Sequence, residues 1–175
     1  MSTLKVGTIQ DHANSNTAIS IDSSGRVTTP ARPAFMAGIT NSYTHTNGNT
    51  IQYDITEFNT GSHFDTTNYK FVVPSNGLYQ FYASMSVASG EYTRSANVRL
   101  ARDGSTIDSR FTARNNLDGD RTGSSSYLNL RGLWILNLTA GEEITWKGSW
   151  ETDGTFDSTE TLHLHGTYCW GMLVG

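Results

Sequence analysis

The chain has 175 residues, a formal net charge of −4 and 16% charged residues, a length that suits one domain plus an extension. Its 12 lysines and arginines are scattered without a run, which argues against a dedicated nucleic-acid surface and against an anionic-membrane surface. A single cysteine, Cys169, leaves no intrachain disulfide; set in an apolar closing strand, it reads as a buried thiol.

Residues 1–30 read as a segment of their own. No apolar run follows Met1, so neither a signal peptide nor a membrane insertion is expected, and synthesis in a cytoplasm is. Leu4, Val6 and Ile9 mark one short strand, and Ala18 to Val27 a second, in which Ile19 and Ile21 alternate with Ser20 and Asp22 before a Ser23-Ser24-Gly25 turn. Two such strands cannot bury an apolar face alone. Leu4, Val6, Ile9, Ile19, Ile21 and Val27 are therefore expected to pack against a partner, either the same segment in sister chains or another protein. Thr28 to Pro33 is a linker, extended by Pro30 and Pro33.

Residues 31–175 form the head, abundant in Gly, Ser, Thr and Asn and poor in helix signals. About 145 residues bury roughly two-thirds of their unfolded surface, enough for a self-sufficient core. Strands are expected over 33–40, 50–57, 69–73, 77–88, 95–102, 106–113, 124–137, 142–150 and 161–174, and such spacing with glycine-rich turns predicts an all-β sandwich or barrel. Asp103-Gly104 is a hairpin signal. The clearest strand begins after Pro74-Ser75-Asn76-Gly77: Tyr79, Phe81, Ala83, Met85 and Val87 alternate with Gln80, Tyr82, Ser84 and Ser86. The odd-numbered set forms a core face and the even-numbered set points outward.

Tyr53, Asn59, Phe64, Phe71, Gly77, Tyr79 and Phe81 fall at the spacings of the C1q-like domain signature, which the segment resembles. Tyr53 stands where that family usually has Phe, which keeps the ring. Ala83 stands where it has Phe or Tyr, and leaves a hole for a neighbour such as Met85 or Trp134 to fill. The resemblance extends to Arg32–Gly38, Leu138–Ile144 and the closing run His165–Val174. It implies a ten-strand jelly-roll sandwich of the C1q and tumour-necrosis-factor type, assembled as a homotrimer. The residues agree in one respect: the last strands carry more aromatic and apolar side chains than a thin sandwich buries, so a partner chain is expected to cover them.

The leader has its own resemblance. Ser2 to Gln10 followed by Ile19 to Val27 is similar to the opening of phage virion proteins, marine and cyanobacterial phages especially, where such a segment precedes a variable head. The two resemblances together imply a virion structural protein made in a host cytoplasm. Its leader would bind other virion proteins and its trimeric head would be an appendage or tail-fibre tip that adsorbs to a host surface receptor or glycan. A capsid decoration protein is the alternative, since 30 residues are short for a long fibre; a cellular lectin-like module is a further one.

Specific sites are few. Tyr92 with Arg94, and Asp118, Asp120 and Arg121 in the loop from Arg114, are surface-binding candidates by exposure and chemistry. Asp118-Gly119-Asp120 has the oxygen spacing of a calcium loop without the distal glutamate, and a solvated turn is the favoured reading. His163 and His165 lie one residue apart in the expected closing strand and therefore share a face, as a metal pair would, but no third ligand stands near. No metal or cofactor is expected. Trp146 and Trp150 share a face and read as core or subunit contact, with Trp134 and Trp170, rather than as a sugar platform. No nucleophile elbow, phosphate loop or zinc-protease helix is present. Glu142, Glu143, Glu151, Asp153 and Asp157 are the carboxylates a glycan-cleaving pair would draw on, but a non-enzymatic protein is the expectation.

Overall fold

The computed structural model describes residues 5–13, 15–89, 93–106, 113–116, 126–152 and 159–175, and no helix occurs among them. The chain opens with three short strands, β1 (Thr8–Gln10), β2 (Thr17–Ile21) and β3 (Val27–Thr28), joined as an antiparallel sheet in that order. The turn between the last two is set by Asp22. Its carboxylate accepts the N–H groups of Ser24 and Arg26, each at 2.9 Å, and the Arg26 Nε–H at 2.6 Å, and these bonds hold it below the usual carboxylate range. Gly25 takes the left-handed conformation there, at φ 78°.

The head begins with β4 (Ala34–Gly38), β5 (Tyr43–Thr46), β6 (Ile55–Thr60), β7 (Phe64–Asp65), β8 (Lys70–Val72) and the long β9 (Gly77–Ser89). It continues with β10 (Thr93–Arg102), β11 (Ser105–Thr106), β12 (Ala113–Asn116), β13 (Ser126–Leu138), β14 (Glu143–Thr152), β15 (Thr159–Leu162) and β16 (Tyr168–Leu173). Two antiparallel sheets result. One has the order β11-β10-β14-β8-β7, with β12 also on β10; the other has the order β5-β15-β9-β16-β4-β6, with β13 also on β9. The Asp103-Gly104 hairpin is as expected, both residues having positive φ.

Two expected strands differ. Residues 50–57 alternate because Ile51 and Tyr53 are wholly buried, yet most of that segment is a loop plugging the core, and the strand starts at Ile55. Sequence pattern does not separate an alternating plug from a strand. Of the strand expected over 106–113, Thr106 and Ala113 are strand and 107–112 lie outside the described residues. The closing strand is divided, because the chain turns at Gly166, φ 103°, between β15 and β16. The strand β5 was not anticipated, its Tyr-Thr-His-Thr sequence being mostly polar.

Tyr79, Phe81, Ala83, Met85 and Val87 all face the core at 0% exposure. Ser84 and Ser86 point the other way yet are also covered, at 2%, since Thr167 lies over the strand and accepts the Ser86 N–H at 3.1 Å. Between the sheets the rings interlock. Phe35 stacks on Phe64 and Phe71 at 4.7 and 5.0 Å, and Phe81 meets Phe71 and Trp146 at 5.7 and 5.9 Å. The Trp134 ring lies over Gly132, where any Cβ would overlap it, and Gly132 is the cross-strand partner of Ala83. Trp134 thus occupies the space that the small residue at 83 leaves.

Two polar groups in this core have testable consequences. The Tyr53 hydroxyl is buried without a hydrogen-bond partner, so Tyr53→Phe is expected to raise stability by about 1 kcal/mol, measured as a higher denaturant midpoint at unchanged slope. His45 is 2% exposed. Its Nδ1 lies 3.3 Å from the Tyr43 hydroxyl, which accepts the Gln52 N–H at 2.8 Å and so has its own proton to give. Burial pushes the Tyr43 phenol up to about 12 and holds the His45 imidazole below the ordinary histidine range. The unfolded chain takes up a proton near pH 6.5 that the folded chain resists. Stability is therefore full above that pH and falls below it, levelling once the folded-state pKa is passed. Denaturation midpoints between about pH 7.5 and pH 5 should show this fall, and His45→Phe should reduce its slope.

Candidate assembly face and surface sites

The outward side of the sheet containing β9 carries a row set by register. Leu133 pairs Tyr82, Tyr82 pairs Trp170, Trp170 pairs Met36 and Met36 pairs Phe58, so one apolar line crosses β13, β9, β16, β4 and β6. Strands lie about 4.8 Å apart, so the row runs roughly 19 Å. Leu133 is 58% exposed and Phe58 47%, while the Tyr82 and Trp170 rings stack at 5.6 Å and 11°. The next row holds Ile135, Gln80, Met172, Ala34 and Thr60; the row on the other side holds Arg131, Ser84, Tyr168, Gly38 and Ile55. Arg131 is the one charge in these three rows. A continuous apolar surface with little charge is the composition of an interface centre.

The expectation of excess apolar side chains in the last strands rests on Trp170 and Met172 and on β13. It did not include Met36 and Phe58, which meet only through the pairing of β4 with β6. A usable signal lay in β13: Leu130, Trp134 and Leu138 face the core while Leu133 and Ile135 face out. Apolar residues at both parities mark a strand covered on both faces.

Another uncovered apolar face lies on the leader. Ile9 pairs Ile19, and Ile21 pairs Val27, so the four share one side; Thr8, Ser20 and Thr28 share the other. Ile9 is 48% exposed, Ile21 37% and Val27 64%. Val6, 39% exposed, precedes β1, and Leu4 is outside the described residues.

The signature residues serve the fold. Asn59 brackets the β6–β7 turn, its Nδ2–H donating to the Phe64 carbonyl at 2.8 Å and its Oδ1 accepting the Phe64 N–H at 3.1 Å. Gly77 admits the chain end: a Cβ there would meet Leu173 Cδ1 at 2.6 Å, and the Gly175 carbonyl accepts the Leu78 N–H at 2.7 Å. Trp146 and Trp150 are fully buried, whereas Trp170 lies in the outward row. Cys169 is buried and its thiol is pushed up by burial.

Tyr92, Asp118, Asp120 and Arg121 lie outside the described residues; Arg94 is in β10, its side chain likewise outside. His163 and His165 fall between β15 and β16 rather than on one strand. His163 packs edge-on to Tyr127 at 4.4 Å and His165 is exposed, so the shared-face geometry for a metal is absent. Glu143 is paired with Lys70 at 2.6 Å. Glu142 accepts the Thr139 N–H at 2.9 Å and lies 3.7 Å from Arg102, so both carboxylates have structural partners. Asp153 and Asp157 are outside the described residues, as is the Glu151 side chain.

The family model of the C1q domain matches residues 34–158. No curated protein matches the chain. Among solved structures it is similar to the globular domain of the zebrafish complement 1qA protein, at 14% identity and TM-score 0.62, with 82% of this chain and 98% of that one covered. It is similar to the Eiger tumour necrosis factor of S. frugiperda at 11% identity and TM-score 0.62, covering 83% and 94%. Murine APRIL aligns at 15% identity and TM-score 0.55, covering 82% and 99%. These likenesses show the jelly-roll fold, which hosts many roles. If the outward rows are an interface, the purified chain sediments as an assembly at micromolar concentration. Leu133→Lys with Phe58→Lys should then weaken association at least tenfold while leaving the circular dichroism spectrum unchanged.

Proposed function

The chain belongs to the C1q domain family, and from that premise we propose that it is a phage virion structural protein, a homotrimeric head on an N-terminal attachment segment. The head projects from the particle as an appendage or tail-fibre tip and binds the host surface through its loops. The observation that carries the assembly is the row Leu133, Tyr82, Trp170, Met36 and Phe58, which a lone subunit leaves uncovered. A homotrimer is the assembly implied by the family, and it would turn three weak contacts into one avid attachment. The head acts by binding rather than catalysis, consistent with the structural partners of Glu142 and Glu143.

The virion setting rests on the leader's sequence, Ser2 to Gln10 and Ile19 to Val27, and on its folding as a sheet that pairs with no strand of the head among the described residues. One feature favours the alternative, a capsid decoration protein. The leader's longest strand has five residues, about 17 Å of extended chain, which suits a compact anchor better than a long shaft.

Imaging the labelled protein in intact particles separates the readings. Density at the tail, in multiples of three copies, is the expected result. Density spread over the shell would make it decoration, with particle stability as the assay. Absence from particles would overturn both and leave a cellular binding module.

A further inference from the structure

We infer that the apolar face of the β1-β2-β3 sheet is covered by the same face of sister chains, so that only its polar face and edges remain to meet the particle; this rests on the trimer reading above. The face is made by Ile9, Ile19, Ile21 and Val27, two cross-strand pairs without a charge among them. An apolar, uncharged patch is complementary to itself. The charges flanking Ile21 and Val27 in the hairpin, Asp22 and Arg26, are paired with each other at 2.6 Å. Strands of two to five residues do not hold a sheet together in water without cover.

The tether selects the occupant. From Thr28 to Ala34 the chain makes six steps, a reach of at most about 20 Å. The linker is also held to the head: the Pro33 carbonyl accepts the Leu173 N–H at 3.0 Å and Arg32 donates to the Val174 carbonyl. Leu173 ends β16, the strand that carries Trp170 and Met172 in the outward rows. Heads joined through those rows therefore bring their leaders within tether length of one another, at an effective concentration on the order of millimolar. A separate protein reaches the patch only by diffusion, and after sister leaders have already met. The other side, Thr8, Ser20 and Thr28, is hydroxylic and compatible with water or with a hydrogen-bonded contact to the particle.

Cysteine pairs on opposite faces test this in the full-length chain, whose native Cys169 is buried and inert to mild oxidant. Val27→Cys and Ile9→Cys are expected to give disulfide-linked chains on non-reducing gels, while their neighbours Thr28→Cys and Thr8→Cys give at least fivefold less. Sedimentation of each variant is run in parallel. A trimer whose polar-face cysteines link as readily as the apolar-face ones, or in which none link, overturns the leader contact and leaves the trimer standing. A monomer overturns both.

Discussion

The pairing of β9 with β13, continuous from Gly77 opposite Leu138 to Ser89 opposite Ser126, is the constraint from which both faces of the head follow. Because side chains alternate strictly, a one-residue slip would send Phe81 and Met85 outward and bury Gln80. The register is held at the far edge of β9 as well, where β16 pairs it from Ser84 to Tyr79. With β9 fixed on both sides, the odd residues define the aromatic core and the even ones place Tyr82 in the middle of the outward row. Core and outward apolar row are two consequences of one register.

That register works only because small residues stand where the rings converge. A Cβ on Gly171 would lie 2.5 Å from Phe81 Cδ1 and 2.7 Å from Phe35 Cε1, and Gly132 with Ala83 gives way to Trp134. Interiors pack at crystal-like density, so volume lent by a small residue must be used by a neighbour. The departure of Ala83 from the family's usual aromatic is therefore coupled to Trp134 two strand positions from Gly132. Tyr53, the other departure, has no such compensation: its ring fills the family's place, but its hydroxyl is unpartnered.

Much of this was legible because period-two alternation survives wherever one face is buried and the other is wet. Tyr79 to Val87 declared itself by apolar side chains on the core side and mostly polar ones opposite, although Ser84 and Ser86 are covered too. Ile19 and Ile21 alternate with Ser20 and Asp22 although their face is uncovered in the lone chain. The pattern misleads where burial and strand pairing separate, as at Ile51 and Tyr53, which are buried from a loop. It is blind where strands are polar, as in Tyr43 to Thr46, whose one inward polar residue is His45. The candidate metal pair failed for a related reason: His163 and His165 keep the right spacing, but the turn at Gly166 removes the strand that spacing presupposes. The outward row needed pairings among strands far apart in sequence, which no local pattern supplies. Its traces in the sequence were Trp170 and Met172 in the closing strand and the doubled parity of β13.

The two uncovered faces bear on each other. A sheet exposing Leu133, Ile135 and Phe58 at 47–58% loses hydrophobic stabilisation that a partner would restore, at roughly 25 cal/mol for each Å² of apolar surface removed from water. The leader repeats the situation with a smaller patch, one that could not recruit a partner unaided. Its linker joins it to β4 and the end of β16, both strands of the outward sheet. In the proposed trimer, association of the large face would concentrate the small one, and the small one would in turn add to the assembly. Coupling of this kind is how the proposed trimer would order so short a leader.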